Sequence, residues 1–135
     1  MSPAHRMTVR VRYPETDPMG RLHHNVHLVY FEMGRTEHLR TRGFSYREME
    51  AQRRFVVIAG LEIKYRAAAR YDDELIVETR VLDVRGAKVV FGNRLLRKDP
   101  IGEVVIAEAT ITAALLGADG QLMRFSDEDV RILQS

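Results

Sequence analysis

The chain reads as an α+β domain: one strand, a long buried helix, then four long strands joined as antiparallel hairpins. Three observations predict it. Met7, Val9, Val11 and Tyr13 alternate with Thr8, Arg10 and Arg12, the period of a half-buried strand. Val26, Leu28, Val29, Tyr30, Phe31 and Met33 then present apolar groups on nearly every side of a helix. From Leu61 to Leu116 the period returns to two, broken only at turn residues. A run of hairpins after one helix packs that helix on one face of the sheet.

Each element has its own signals. Met7–Tyr13 is the first strand, ended by Pro14, and Glu15–His24 is a loop containing Pro18 and Gly20. Asn25 is the expected N-cap of a helix running to about Arg42, where Arg40, Arg42 and Gly43 form a C-terminus. Gly34 costs such a helix about 1 kcal/mol relative to Ala, so it is expected to admit another backbone closely. Ser45-Tyr46-Arg47-Glu48 has the form of a capping box opening a short second helix. Leu61, Ile63 and Tyr65 alternate with Glu62, Lys64 and Arg66; the strands Leu75–Val84, Lys88–Arg97 and Glu103–Leu116 follow. Turns fall at Tyr71-Asp72-Asp73, Arg85-Gly86, Asp99-Pro100-Ile101-Gly102 and Gly117-Ala118-Asp119-Gly120. Ser126 caps a tail helix. One sheet cannot enclose a helix that is apolar all round, so a second copy of the chain is expected to cover the rest.

The 135 residues suit a single domain spanning 1–135, with no repeat, linker or low-complexity run. With 45% hydrophobic and 30% charged residues the chain lies far from disorder. It has no Cys, so disulfides, thiolate metal sites and cysteine nucleophiles are excluded. The N-terminal residues lack the apolar core of a signal peptide, and Ala107–Ala118, interrupted by Glu108, is too short to span a bilayer. The cytoplasm is the expected location. A net charge of +2 with dispersed Arg suits an anionic small ligand, and no aromatic-basic stripe points to nucleic acid.

Reactive groups concentrate in Glu15, Asp17, His23, His24 and His27, around the loop and the helix start. Free N–H groups at a helix start bind anions and stabilise a developing oxyanion. A carboxylate just before them can attack a carbonyl or activate a water. On pattern alone, Asp17 before Pro18 reads equally well as a turn-forming residue. His23 and His27 lie four apart, but HExxH spacing and a third ligand are missing, so no metal site is expected. There is no G-x-S-x-G elbow, no P-loop and no G-x-G-x-x-G fingerprint.

At this cluster the chain resembles the 4-hydroxybenzoyl-CoA thioesterase family and the related Tol–Pal-associated acyl-CoA thioesterases. The resemblance is carried by Val11-Arg12-Tyr13-Pro14-Glu15-Thr16-Asp17, Gly20, His24 seven residues past the Asp, and Tyr30-Phe31-Glu32. Ile63–Leu75, with its Ala-Arg-aromatic-Asp-Asp turn, and Arg85–Phe91 continue it, so that it covers roughly residues 7–116. His27 stands where many relatives have Tyr, and Ala68 where many have Pro.

The resemblance implies the hotdog fold, a long central helix wrapped by a five- to six-stranded antiparallel sheet. It also implies an acyl-CoA thioesterase that releases free acid and coenzyme A. Asp17 would be nucleophile or general base, His24 would line the site, and backbone N–H groups around His24 and Asn25 would hold the thioester oxygen. Arg85 and Lys88 are the candidates for the coenzyme A phosphates; Val57, Tyr65 and Tyr30 are candidates for the pantetheine or acyl group. No cofactor is implied beyond coenzyme A as part of the substrate, and the assembly would be a homodimer or homotetramer. Two alternatives stand beside this. One is a hotdog dehydratase of 3-hydroxyacyl thioesters pairing His24 with Glu15 or Glu32. The other is a coenzyme A-binding module without turnover.

Overall fold

The computed structural model describes residues 3–135. Five strands, β1 (His5–Arg10), β2 (Phe55–Tyr65), β3 (Glu74–Arg85), β4 (Lys88–Asp99) and β5 (Gly102–Leu116), form one antiparallel sheet in the order β1-β3-β4-β5-β2. Helix α1 (His24–Thr41) crosses one face; α2 (Tyr46–Ala51) leads into β2, and α3 (Asp127–Gln134) closes the chain. The predicted architecture is therefore present, with five strands.

Several boundaries differ from the sequence expectation, each for a physical reason. β1 runs from His5 to Arg10, where its pairing with β3 ends opposite Glu74. Buried Val11 turns its N–H to the Asp73 carbonyl (2.9 Å), and Tyr13–Glu15 winds into a 3₁₀ turn opened by Pro14. β2 begins six residues before the visible alternation. Its pairing with β5 shifts between Ile58 and Gly60, and this bulge moves Phe55–Ile58 out of phase with Leu61, Ile63 and Tyr65. Helix α1 is capped by His23, whose Nδ1 accepts the Asn25 N–H at 3.1 Å; Asn25 is not the cap. Ser126 and Asp129 form a full capping box at α3, whereas Ser45 only accepts from the Glu48 N–H.

The core has two apolar halves. One gathers Tyr30, Phe31, Leu75, Val77, Leu95 and Ile106; the other gathers Leu39, Val81, Phe91, Leu115 and Phe125. Buried polar groups accompany them: α1 contributes Arg35 and His38, the sheet contributes Thr79 and Asn93, and Gly34 lies against Thr79. Gly34 does admit a close neighbour: a Cβ there would stand 2.7 Å from both Thr79 Oγ1 and Val77 Cγ1. Helix α1 is not covered all round by its own sheet. Val29 and Met33 are substantially exposed, as are Val57, Ile58, Leu61 and Tyr65 on edge strand β2. No helix among the described residues is long and apolar enough to cross a membrane.

Candidate active site

The loop between β1 and α1 is held as a small pinned hairpin. Asp17 N–H donates to the Arg21 carbonyl at 2.7 Å, and the Gly20 N–H returns to the Asp17 carbonyl at 2.9 Å. Gly20 has φ +77°, the left-handed region that a residue without Cβ enters freely. Leu22 N–H bonds the Ala69 carbonyl at 2.7 Å and His23 N–H the Glu15 carbonyl at 2.9 Å, fixing the loop to the β2–β3 connection and to itself.

The two carboxylates of Glu15-Thr16-Asp17 have opposite surroundings. Glu15 Oε1 accepts the Tyr30 hydroxyl (2.7 Å) and the Arg12 N–H (2.8 Å), and Arg12 Nη2 lies 3.2 Å from Oε2. Burial would raise its pKa, but these donors together hold it below the ordinary range. Asp17 Oδ1 accepts the N–H groups of Met19 (2.8 Å) and Arg21 (3.1 Å). Its Oδ2 accepts no hydrogen bond among the described residues, with Arg21 Nε 3.7 Å away. The Arg21 N–H, against a smaller opposing effect of burial and aided by the Met19 N–H, keeps the Asp17 carboxyl below the usual carboxylate range. It is an anion at neutral pH.

Asp17 opens onto a cavity of about 460 Å³ shared with His24, His27, Tyr65 and Arg66. The start of α1 forms one wall. Asn25 N–H is taken by His23 Nδ1 and Val26 N–H by the His23 carbonyl (3.0 Å); the His24 N–H has no partner among the described residues. His27 Nδ1 sits 3.1 Å from the His23 carbonyl, which only accepts, so the proton belongs on Nδ1 and Nε2 is left as an acceptor. Burial pushes the His27 pKa down, so the ring is neutral. The Tyr65 hydroxyl donates to the His24 carbonyl (3.1 Å), and its ring meets His27 edge to face at 4.8 Å. The cavity thus combines an anionic oxygen, an open helix-start donor and a neutral imidazole.

Asp17, His24 and Tyr65 are brought together as the sequence suggested; the other candidates are not. Tyr30 is 2% exposed with its hydroxyl spent on Glu15, so it anchors the loop rather than lining the cavity. Asn25 is exposed with its N–H already used, and Val57 lies elsewhere on β2. Arg85 and Lys88 form the far hairpin. Pairing runs from Leu75–Arg97 to Arg85–Lys88, so they stand roughly 34 Å along β3 from the Asp17 end, beyond reach within one chain. Glu15 is committed to Tyr30 and Arg12, which removes one of the two dehydratase pairings. Sequence reasoning placed His27 in the reactive cluster without giving it a catalytic role, and it missed Arg21 and Arg66 as neighbours of the site. A second cavity, of about 350 Å³, lies on the face of the sheet away from α1. There Arg6, Glu78, Arg94, Glu108 and Lys64 stand opposite one another in register across all five strands. The cavity's own lining sets Glu62, Glu78 and Glu108 against Lys64, Arg80 and Arg94, so its charges balance.

Comparison with known proteins agrees with this picture. The Thioesterase superfamily profile matches residues 19–104. The acyl-CoA thioesterase YbgC of Haemophilus influenzae is 40% identical over 107 residues, 78% of this chain and 76% of that protein. The putative acyl-CoA thioesterase YneP of Bacillus subtilis is 35% identical over 98 residues, 73% of this chain and 70% of its own. Among solved structures, a variant of 4-hydroxybenzoyl-CoA thioesterase complexed with 4-hydroxybenzoyl-CoA superposes with a TM-score of 0.91 over 98% of this chain and 100% of that one, at 16% identity. That likeness establishes the hotdog fold, and with the matched profile and the identity to the curated relatives it places the chain in the thioesterase superfamily.

Proposed function

We propose that the chain is an acyl-CoA thioesterase in which Asp17 drives hydrolysis to a free acid and coenzyme A. The observation that carries this is the pairing, in one cavity, of the open Asp17 Oδ2 with the unpartnered His24 N–H. The thioester oxygen would lie at the helix start, where His24 N–H and the positive end of α1 stabilise negative charge as the carbonyl is attacked. Asp17 Oδ2 either forms the new C–O bond itself, giving an acyl-aspartyl anhydride that water then cleaves, or takes a proton from the attacking water. In both routes the C–S bond breaks and the departing thiolate gains a proton.

The test is thiol release from a panel of acyl-CoAs by wild type and Asp17→Asn. Loss of about 10²–10⁴-fold in kcat is expected, the range for a positioned acid or base; full activity in the variant refutes the assignment. One turnover in H₂¹⁸O that leaves label in Asp17 establishes the anhydride, since general-base attack puts all of the label in the released acid.

The same reading takes the assembly as a homodimer, or a tetramer of two such dimers. The unpaired edge of β2, with Val57, and the open side of α1, with Val29 and Met33, would each be covered by a second copy. Arg21 and Arg66 stand at the cavity and would receive phosphate from the same chain; Arg85 and Lys88 could serve only a neighbouring subunit's substrate. Sedimentation at micromolar concentration should give twice the chain mass or more, and a monomer refutes the dimer. The cytoplasm is the compartment this substrate and the absence of cysteine fit best.

A further inference from the structure

Arg35 is 5% exposed, yet it takes part in none of the ion pairs among the described residues. Its Nε has no hydrogen-bond partner; the Tyr46 hydroxyl, which interacts with the guanidinium, is neutral, and Glu32, three residues before it on α1, stands beyond ion-pair distance. A guanidinium stays charged at any physiological pH, so it cannot escape burial by losing its proton. A buried charge without a counter-charge is strongly unfavourable unless something absent from the single chain supplies one.

What lies in front of Arg35 indicates what that is. A groove of about 170 Å³ between α1 and β2 is lined by Leu28, Glu32, Arg35, Ile58, Leu61 and Ile111. Its lining follows that of the Asp17 cavity along the same two elements: Leu28 comes one turn after His24 on α1, and Leu61 stands four residues from Tyr65 on β2. His24, Leu28, Glu32 and Arg35 are spaced four, four and three apart, one stripe of the helix. Tyr65 and Leu61 share one face of β2, and Ile58 joins them beyond the bulge. The stripe begins where Tyr65 holds the His24 carbonyl, at the reacting end, and finishes at Arg35. Eleven residues of helix rise about 16 Å, and the Arg side chain leans back toward the helix start by about a turn. The span from thioester to guanidinium is therefore roughly 10 Å, apolar along its middle and cationic at its end.

We propose that this groove receives the acyl group and that Arg35 selects acyl-CoAs whose far end is a carboxylate, the monothioesters of dicarboxylic acids. This rests on the thioesterase reading above and adds to it a substrate class and a specificity residue. Glu32, on the solvent side of the groove, opposes the incoming carboxylate, but its charge is screened by water whereas that of Arg35 is not. The opposition makes a test that a purely structural Arg35 would not satisfy.

The experiment compares succinyl-, glutaryl-, adipoyl- and suberoyl-CoA with alkyl acyl-CoAs of the same carbon number. Wild type should hydrolyse at least one of the carboxylate-ended substrates with kcat/KM tenfold or more above its alkyl counterpart. Arg35→Met, close in volume, should lose that preference chiefly through KM. Glu32→Gln, which removes the opposing charge, should lower KM for the carboxylate-ended substrates by a larger factor than for the alkyl series, and it serves as the test if Arg35→Met does not fold. A wild-type preference for the alkyl series overturns the inference while leaving the thioesterase reading intact. So does an Arg35→Met variant that dissociates in the ultracentrifuge with its selectivity unchanged, since Arg35 would then answer a carboxylate of a second copy. Failure on every thioester overturns both readings.

Discussion

Gly34→Ala offers a sharp test of how α1 lies on the sheet. In an exposed helix the change gains about 1 kcal/mol, because Ala is the better helix former. Here the new methyl would stand 2.7 Å from both Thr79 Oγ1 and Val77 Cγ1, well inside contact distance. Both neighbours are β-branched, with stiff χ1 angles, and both lie in β3, an interior strand paired on both sides, so neither gives way as the tip of a flexible chain does. Overpacking of this kind costs about 1–3 kcal/mol, and the upper part of that range applies when two rigid atoms are struck. The net expectation is a loss of about 1–2 kcal/mol, or a fall in Tm of roughly 4–8 °C for a domain of this size. Urea denaturation should show a lower midpoint at unchanged slope. The pair Gly34→Ala with Val77→Ala should lose less than the two single changes summed, by about 0.5 kcal/mol or more. A Gly34→Ala protein as stable as wild type, or more so, would mean that α1 does not approach β3 as described.

Two further predictions concern pH. Because backbone N–H groups hold Asp17 below the usual carboxylate range, the acid limb of kcat/KM should fall below the ordinary Asp value of about 3.9. A profile measured well under Tm should be flat from neutrality to about pH 5, and a carboxylate-like fall between pH 5 and 7 would refute Asp17 as the ionised catalyst. His38 is buried with both ring nitrogens unpartnered, and burial, Arg42 and His5 push its pKa down to about 4. The unfolded chain binds its proton from about pH 6.5 downward and the folded chain does not, so stability is full above 6.5 and drains away as pH falls toward 4. The loss should reach about 3 kcal/mol, read as the change in urea midpoint; replacing His38 with Gln should flatten that dependence, and an unchanged slope in the variant would locate it elsewhere.

Most of the fold was legible because its signals are local. The alternation in Leu75–Val84 and Lys88–Arg97 and the Arg85-Gly86 turn appear in the structure within a residue or two. What was not legible depends on contacts distant in sequence. The bulge at Ile58–Gly60 reverses the phase of β2, so Phe55–Ile58 shows no continuous alternation with Leu61. His23 caps α1 although imidazole is not among the favoured caps, because the Glu15 carbonyl holds its N–H and aims the ring at Asn25. The site divided the same way. Asp17 and His24 sit in one short stretch and emerged together; Tyr65, from the end of β2, enters only as a substrate-contact candidate beside the resemblance, and nothing in its own neighbourhood marks Arg66. Arg85 and Lys88 had the right chemistry on a hairpin at the wrong end of the sheet for the same chain's site.

The Glu15-Thr16-Asp17 triplet shows why residue type alone did not separate anchor from reagent. Both acids are ionised, and both are held by neighbouring donors. Glu15 spends both oxygens, on Tyr30 from α1 and on Arg12, and thereby ties the loop to the helix it precedes. Asp17 spends only Oδ1, on two backbone N–H groups of its own turn. That turn has the geometry by which any Asp before a Pro would close a loop, so the bland reading of Asp17 is correct as far as Oδ1 goes. The same two hydrogen bonds fix the carboxylate plane, keep it charged and leave Oδ2 facing the cavity, which is what a nucleophile or base requires. Turn residue and catalyst are thus not competing descriptions of Asp17: the first supplies the preorganisation on which the second depends.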